Sequence, residues 1–303
     1  MNSDPLLDRL KELKGRRNAV ILAHNYQRPE VQDASDYVGD SLGLSRQAAK
    51  TRADVILFCG VDFMAETAAV LCPGRKVLVP EPRASCPMAN MVTARELRAF
   101  KAQHPGAPVV CYVNSSAEVK AESDVCCTSA NAVAVLKSLP ADRDIIFVPD
   151  QSLGDYAAKQ AGRRVILWPG YCPTHHLILP DDVRKARVEH PHALVVMHPE
   201  CVGAALALAD KVASTTGILK FCRESPAPEF IIGTEIGLLH RLRKESPGKS
   251  FFPVTPLADC PNMKLNTLEK MVWSLEDMAY EVRVPEAVAA GARKAIERML
   301  ETG

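Results

Sequence analysis

The sequence predicts an α/β protein of three homologous three-layer α/β/α units, each built on a parallel sheet. Three observations lead there. Short, continuously apolar runs alternate with helical stretches along the chain, the pattern of strands buried on both faces between helices. The phrase Cys-Pro closes three successive passages, at Cys86-Pro87, Cys172-Pro173 and Cys260-Pro261, with gaps of 86 and 88 residues. Polar residues recur in the same register. His24, Tyr112 and His198 form one set, Tyr26, Asn114 and Glu200 a second, and Ser41, Ser129 and Thr215 a third, each spaced by 88 and 86 residues. Such agreement describes one unit of about 87 residues written three times.

The first unit opens with a helix over residues 3–14. Ser3 is placed to cap it, Pro5 suits its first turn, and Leu6, Leu7, Leu10 and Leu13 share one face. Residues 19–23 form an apolar strand that runs into His24-Asn25-Tyr26-Gln27. Asp40-Ser41 precedes a helix over 42–51. A strand over 54–58, a helix over about 62–71 and a strand over 76–79 lead to the loop of Cys86. The second unit repeats the order. A strand at 108–113 ends at Asn114-Ser115, and Cys127-Thr128-Ser129 opens a helix over 130–139. A strand at 144–148, a helix at 154–161 and a strand at 165–167 then lead to Cys172. The third has a strand at 193–197 closing on His198-Pro199-Glu200, and Ala213-Ser214-Thr215 opens its next helix. A strand at 229–232, a helix at 235–244 and the pair Phe251-Phe252 lead to Cys260. The tail differs. It reads as a helix at 266–278, a short strand at 280–284 and a last helix from Pro285 to about residue 301, expected to pack back on the first unit. The expected division is 1–85 with 265–303, then 86–171, then 172–264. Proline-rich crossings between units restrict the backbone and help hold each cysteine loop.

Composition excludes several classes. Of 303 residues, 47% are hydrophobic and 24% charged, as in a soluble globular protein, and a net charge of +1 gives no sign of a nucleic-acid or acidic-membrane partner. No apolar run approaches the about 20 residues needed to span a bilayer, and Met1-Asn2-Ser3-Asp4-Pro5 lacks the layout of a secretion signal, so the expected location is the cytoplasm. Ten cysteines are many for a reducing compartment. Cys59, Cys72, Cys111, Cys126, Cys127 and Cys222 lie in or beside apolar stretches and read as small buried hydrophobes, while Cys201 follows a polar loop. The absence of any CxxC pair counts against zinc ribbons and thioredoxin-like motifs.

Three equivalent cysteines suggest thiolates meeting at one point. They could hold zinc or an iron–sulfur cluster, or remain three structural thiols. A structural site wants four ligands, and the repeat supplies three, leaving an open position able to act as a Lewis acid. The polar triplets stand at the carboxyl ends of strands, where parallel sheets place their sites. Ser41, Ser129, Ser214 and Thr215 stand where hydroxyls and helix amides bind carboxylate or phosphate oxygens. His24, His198, Tyr26, Tyr112 and Glu200 offer groups able to move protons. His175 and His176 follow Cys172 closely, so at least one should face the same centre, with the other at the surface.

These residues together resemble the quinolinate synthase family, whose members make the pyridine ring of NAD. The resemblance runs from His24-Asn25-Tyr26-Gln27 to Cys260-Pro261-Asn262-Met263-Lys264. Its most specific stretches are Val38-Gly39-Asp40-Ser41-Leu42, Phe63-Met64-Ala65-Glu66-Thr67-Ala68, Tyr112 to Lys120, Cys127-Thr128-Ser129-Ala130-Asn131-Ala132 and His198-Pro199-Glu200-Cys201. The resemblance implies three α/β units around a pseudo-threefold axis. It implies a [4Fe–4S] cluster on Cys86, Cys172 and Cys260 with one iron lacking a protein ligand. The implied reaction is a non-redox condensation of iminoaspartate with dihydroxyacetone phosphate, giving quinolinate, phosphate and two waters, with the imine supplied by an aspartate oxidase or dehydrogenase. By the same resemblance His24, Ser41, Tyr112, Asn114, Ser129, His198 and Thr215 contact substrate and Ser214 assists. Tyr26 and Glu200 transfer protons, His175 is a further participant, and Met64 lies on a loop able to line a site that opens and shuts by movement of the first unit. One departure stands out. Some members carry CxxCxxC at the third cysteine, able to form a regulatory disulfide, whereas Cys260 here is followed by Pro261-Asn262-Met263-Lys264, so no such switch is expected. The rival readings are a non-catalytic iron–sulfur protein and a zinc-dependent hydrolase.

Overall fold

A computed structural model describes residues 5–302. The first unit runs α1 (Pro5–Arg16), β1 (Ala19–His24), α2 (Pro29–Asp33), β2 (Tyr37–Gly39), α3 (Ser41–Lys50), β3 (Val55–Cys59), α4 (Asp62–Leu71) and β4 (Lys76–Leu78). The second has α5 (Ala94–Gln103), β5 (Val109–Tyr112), α6 (Ala117–Ala121), β6 (Val125–Cys127), α7 (Ala132–Ser138), β7 (Ile145–Val148), α8 (Gln151–Ala161) and β8 (Val165–Leu167). The third has α9 (Pro173–His176), α10 (Pro180–Glu189), β9 (Leu194–Met197), α11 (Gly203–Leu206), β10 (Lys211–Val212), α12 (Thr215–Glu224), β11 (Glu229–Gly233), α13 (Leu238–Glu245) and β12 (Ser250–Pro253). The tail adds α14 (Leu268–Asp277) and α15 (Glu286–Glu301).

Three four-stranded sheets result, in orders β2-β1-β3-β4, β6-β5-β7-β8 and β10-β9-β11-β12. Every pairing within them is parallel. The same topology written three times is the physical counterpart of the sequence repeat. Both faces of the strands are apolar because both are covered. In β3, Val55, Leu57 and Cys59 belong to a core shared with α1 and α14, whereas Ile56 and Phe58 belong to the large core on the other face. In β11, Ile231 faces the core of Val183 and Ala186 on α10, and Phe230 and Ile232 face the large core. That large core is common to the three units.

Several expectations needed correction. The edge strands β2, β6 and β10 were not foreseen, since runs of two or three residues carry no periodicity. The cap expected at Ser3 lies outside the described residues. The strand expected at 280–284 is a single antiparallel bridge, Leu78 to Glu281. In the tail, α14 lies on α1 and β3, but α15 lies chiefly on α6 and β6 of the second unit, and also touches α4. A Cβ on Gly291 would stand 3.0 Å from the Ala121 Cβ and 3.1 Å from its carbonyl oxygen, so glycine permits the close approach of α15 to α6.

Candidate active site

A cavity of about 190 Å³ opens where the carboxyl ends of the three sheets meet. Cys86, Cys172 and Cys260 all line it, half-buried, and none of the ten cysteines forms a disulfide. The Cys-Pro phrase has a local purpose. Proline donates no N–H, and the chain beyond it turns at once, as α9 or as the short 3₁₀ turns Ala89–Met91 and Met263–Leu265. Amides of those turns point back at sulfur. Ala89 and Met88 donate to Cys86, His175 to Cys172, and Met263 and Asn262 to Cys260, which the Thr174 hydroxyl also meets. Burial pushes the Cys86 thiol up to about 12 and raises Cys172 and Cys260, while these amides pull the other way. Three soft donors at one cavity, each met by backbone N–H groups, fit a thiophilic metal or an iron–sulfur cluster. A second donor set overlaps it, since ligand atoms of Cys172, His175 and Glu200 lie within 4.8 Å of one another.

Above the thiols stands a buried polar network. The Tyr112 hydroxyl donates to Glu200 Oε1, and His175 Nδ1 lies 2.9 Å from Glu200 Oε2 and 3.1 Å from Cys172 Sγ. His175 Nε2 is 2.9 Å from Thr234 Oγ1, which in turn lies 2.6 Å from the Tyr26 hydroxyl. His198 Nε2 is 3.1 Å from Ser129 Oγ. The two repeat-related histidines share a backbone device. The N–H of Tyr26 donates to His24 Nδ1 at 3.2 Å, and that of Glu200 to His198 Nδ1 at 3.4 Å. Each ring therefore keeps its proton on Nε2. Burial lowers both to about 3, so both are neutral donors near pH 7.

The carboxylate is the charged member. Burial pushes Glu200 up, but the contact with His175 Nδ1 and the hydrogen bond from the Tyr112 hydroxyl hold it below the ordinary carboxylate range. Burial, then the charge of Glu200, raises Tyr112 and Tyr26 well above an ordinary phenol, so both remain protonated donors. Asn114 Oδ1 is buried without a partner among the described residues, an acceptor left for a ligand.

His24, Tyr26, Ser41, Met64, Tyr112, Asn114, Ser129, His175, His198, Glu200 and Thr215 line the cavity with the three cysteines. Ser214 does not. Its hydroxyl caps α12 by accepting from the Gly217 N–H at 3.2 Å, and it faces a neighbouring cavity that Ser129 also borders. Ser129 itself does not start a helix, because α7 begins after Asn131. Ser41 is the first residue of α3, whose cap is Asp40. Met64 belongs to α4 rather than to a loop. His176 is half-buried against Tyr171, with ring centroids 4.4 Å apart. Cys201 is fully buried, its thiol 3.4 Å from the Gly233 carbonyl. Downstream of Cys260, Met263 sulfur accepts from Gln27 and Asn266 donates to the Gly60 carbonyl at 2.9 Å. The sequence reading missed Thr234 and Glu235. Their signal was position, immediately after β11, in line with the other strand-end residues.

The chain matches the family described as Quinolinate synthetase A protein over residues 8–301. It is 55% identical over 300 residues to a quinolinate synthase of Methanosarcina barkeri, covering 99% of this chain and 98% of that one. It is 54% identical over 300 residues to one of Geobacter metallireducens, with the same coverage, and 55% over 292 residues to one of Dehalococcoides mccartyi, covering 96% of each. A family match across nearly the whole length, with relatives of this identity, places the chain in the quinolinate synthase family.

Proposed function

We propose that this chain is a quinolinate synthase of NAD biosynthesis. It condenses iminoaspartate with dihydroxyacetone phosphate to give quinolinate, phosphate and two waters, a dehydrating transfer rather than a redox step. Cys86, Cys172 and Cys260 would hold a [4Fe–4S] cluster, which when bound supplies a Lewis-acid iron without a protein ligand. One observation carries the reading. The three amide-supported Cys-Pro thiols face the same cavity as the Tyr112–Glu200–His175 network.

The residues divide the work by their protonation. His24 and His198, neutral with the proton on Nε2, donate hydrogen bonds to substrate oxygens without exchanging protons. The buried Glu200 carboxylate accepts a proton, and the Tyr26 hydroxyl, joined to His175 through Thr234, donates one. Ser41, Ser129 and Thr215 bind the anionic groups, Asn114 Oδ1 accepts from a substrate N–H or O–H, and Met64 closes the apolar wall. The functional boundaries proposed are 1–85 with 265–303, 86–171 and 172–264, with α15 reaching across to the second unit; the cysteine loops lie at the crossings, Cys86 and Cys172 opening the second and third units and Cys260 standing near the end of the third. Free cysteines suit a reducing cytoplasm, and no helix among the described residues is long and apolar enough to cross a membrane. An aspartate oxidase or dehydrogenase would supply the imine. The test is an anaerobic assay for quinolinate from oxaloacetate, ammonia and dihydroxyacetone phosphate, with iron and acid-labile sulfide measured on the same sample. Quinolinate with about four irons and four sulfides per chain is expected. Zinc without sulfide, or a full cluster without turnover, overturns the reading.

A further inference from the structure

The carboxylate of Glu235 is fully buried and borders the cavity, yet the roles above do not use it. Its Oε1 accepts the backbone N–H of Cys260 at 3.1 Å and meets Lys264 Nζ at 2.5 Å. Its Oε2 accepts the Gly237 N–H at 2.8 Å. Lys264 Nζ also donates to the backbone carbonyl of Tyr26, and Asp259 Oδ1 lies 3.4 Å from it. A continuous chain of polar contacts therefore runs from the Cys260 amide, through Glu235 and Lys264, to the Tyr26 carbonyl in a different unit.

Neighbouring contacts tighten the same junction. Gln32 Nε2 donates to the carbonyls of Asn25, Gln27 and Gly237. Arg28 Nε donates to the Lys264 carbonyl at 2.7 Å. A Cβ on Gly237 would stand 2.8 Å from both the carbonyl carbon and oxygen of Tyr26, so the two backbones touch and only glycine fits between them. A buried ion pair is a poor source of stability, because desolvation offsets its attraction, but it fixes register well when every partner is satisfied.

We propose that Glu235 and Lys264 are positioning residues: their ion pair, buried at Glu235 and partly exposed at Lys264, sets the Tyr26 backbone against the Cys260 loop, so that the reach of the Tyr26 hydroxyl into the cavity is tied to the third metal-binding thiol. The proposal rests on the quinolinate synthase reading for the role of Tyr26, but its geometry does not. It makes the Cys260 loop a support for the first unit as well as a ligand carrier. Displacing a reacting group by about 1 Å costs on the order of 10²-fold in rate, so the expected effect is on kcat more than on KM.

The test compares native enzyme with Lys264→Met, Lys264→Arg and Gly237→Ala, all purified anaerobically. Each is followed by iron and sulfide content, by kcat and KM, and by amide hydrogen exchange of peptides covering residues 19–31 and 109–125. For Lys264→Met, cluster content is retained and kcat falls about 10- to 100-fold with KM changed less than about threefold. Exchange in 19–31 accelerates on the order of tenfold, while 109–125 is unchanged. Lys264→Arg restores most of the protection and rate, and Gly237→Ala, whose Cβ would press on both the Tyr26 carbonyl and Glu235 Oε2, reproduces the loss with Lys264 in place. Unchanged exchange and kcat in Lys264→Met overturn the proposal. So does equal acceleration in both peptides, which marks general loosening. If Lys264→Met does not fold, unchanged exchange and kcat in Gly237→Ala overturn it. If the native enzyme makes no quinolinate yet the exchange pattern appears, the positioning stands and the functional reading fails.

Discussion

Replacing Glu200 with Gln tests the charged centre of the site with the smallest change in shape. The carboxylate is 3% exposed and takes two donors, the Tyr112 hydroxyl on one oxygen and His175 Nδ1 on the other. Glutamine offers one acceptor and an NH₂, so one of those donors loses its partner. A hydrogen bond to a charged group contributes about 1.5–3 kcal/mol. Against that, removing a buried charge removes its desolvation penalty, so the net effect on folding should stay within about 2 kcal/mol in either direction. Turnover has no such compensation, because an amide cannot accept the proton. Loss of one acid–base group costs about 10²–10⁴-fold, and that is the fall expected in kcat. The assay is anaerobic quinolinate formation, with thermal unfolding and iron and sulfide content on the same preparations. A kcat within about threefold of native at equal iron content refutes the assignment. A loss of activity in step with loss of iron or of the fold refutes it too, since Glu200 would then be a support.

Three further outcomes follow from the structure. Alanine at Cys86, Cys172 or Cys260 should abolish retention of iron and sulfide, whereas Cys201→Ala, at a fully buried thiol outside the cavity, should leave both unchanged; equal retention in all four would remove the metal site. His24 and His198 are lowered to about 3 from an ordinary 6.5, so the unfolded chain binds more protons between those values and stability falls as pH drops below 6.5. Each contributes at most about 1.4 kcal/mol per pH unit in that window, and thermal unfolding at pH 7.5 and 5.0 should show a lower midpoint in acid, less so in His24→Asn; a flat profile contradicts burial of neutral rings. Lys120 is fully buried, donating to the Phe63 carbonyl at 3.2 Å and to Thr67 Oγ1 at 2.8 Å. Lys120→Ala should therefore cost about 2–4 kcal/mol in urea unfolding, from a cavity and the loss of two hydrogen bonds, and a value below about 1 kcal/mol would show the site relaxing around the loss.

The central strands of each sheet were legible because they are buried on both faces, which writes them as unbroken apolar runs such as Ala19 to Ala23 and Ile145 to Val148. The edge strands β2 and β10 were not, because Tyr37-Val38-Gly39 and Lys211-Val212 are too short to show a period and half-exposed besides, whereas the opposite edges at β4 and β8 were read from their apolar residues. The site was legible through its register. His24, Tyr112 and His198 fall at one position of three equivalent strands, and one spacing exposed all of them. Glu235 and Lys264 were hidden for the opposite reason. Their meaning lies in a contact across units that no local pattern records. Ser214 shows the reverse error. A hydroxyl before a helix is read equally as a cap or a ligand group, and only its hydrogen bond to Gly217 decides for the cap.

The last helix also bears on how the chain is made. Glu286–Glu301 covers α6 and β6, which were synthesised some 160 residues earlier, and Asn131 of the second unit donates to the Met299 carbonyl. At about 5–20 residues per second, the apolar flank of the second unit waits roughly 8–32 s on the ribosome for its cover. Three similar units are thus not three independent modules. The middle one is finished last, and a nascent chain halted before Glu286 would leave translation with its repeats complete and its flank open to aggregation.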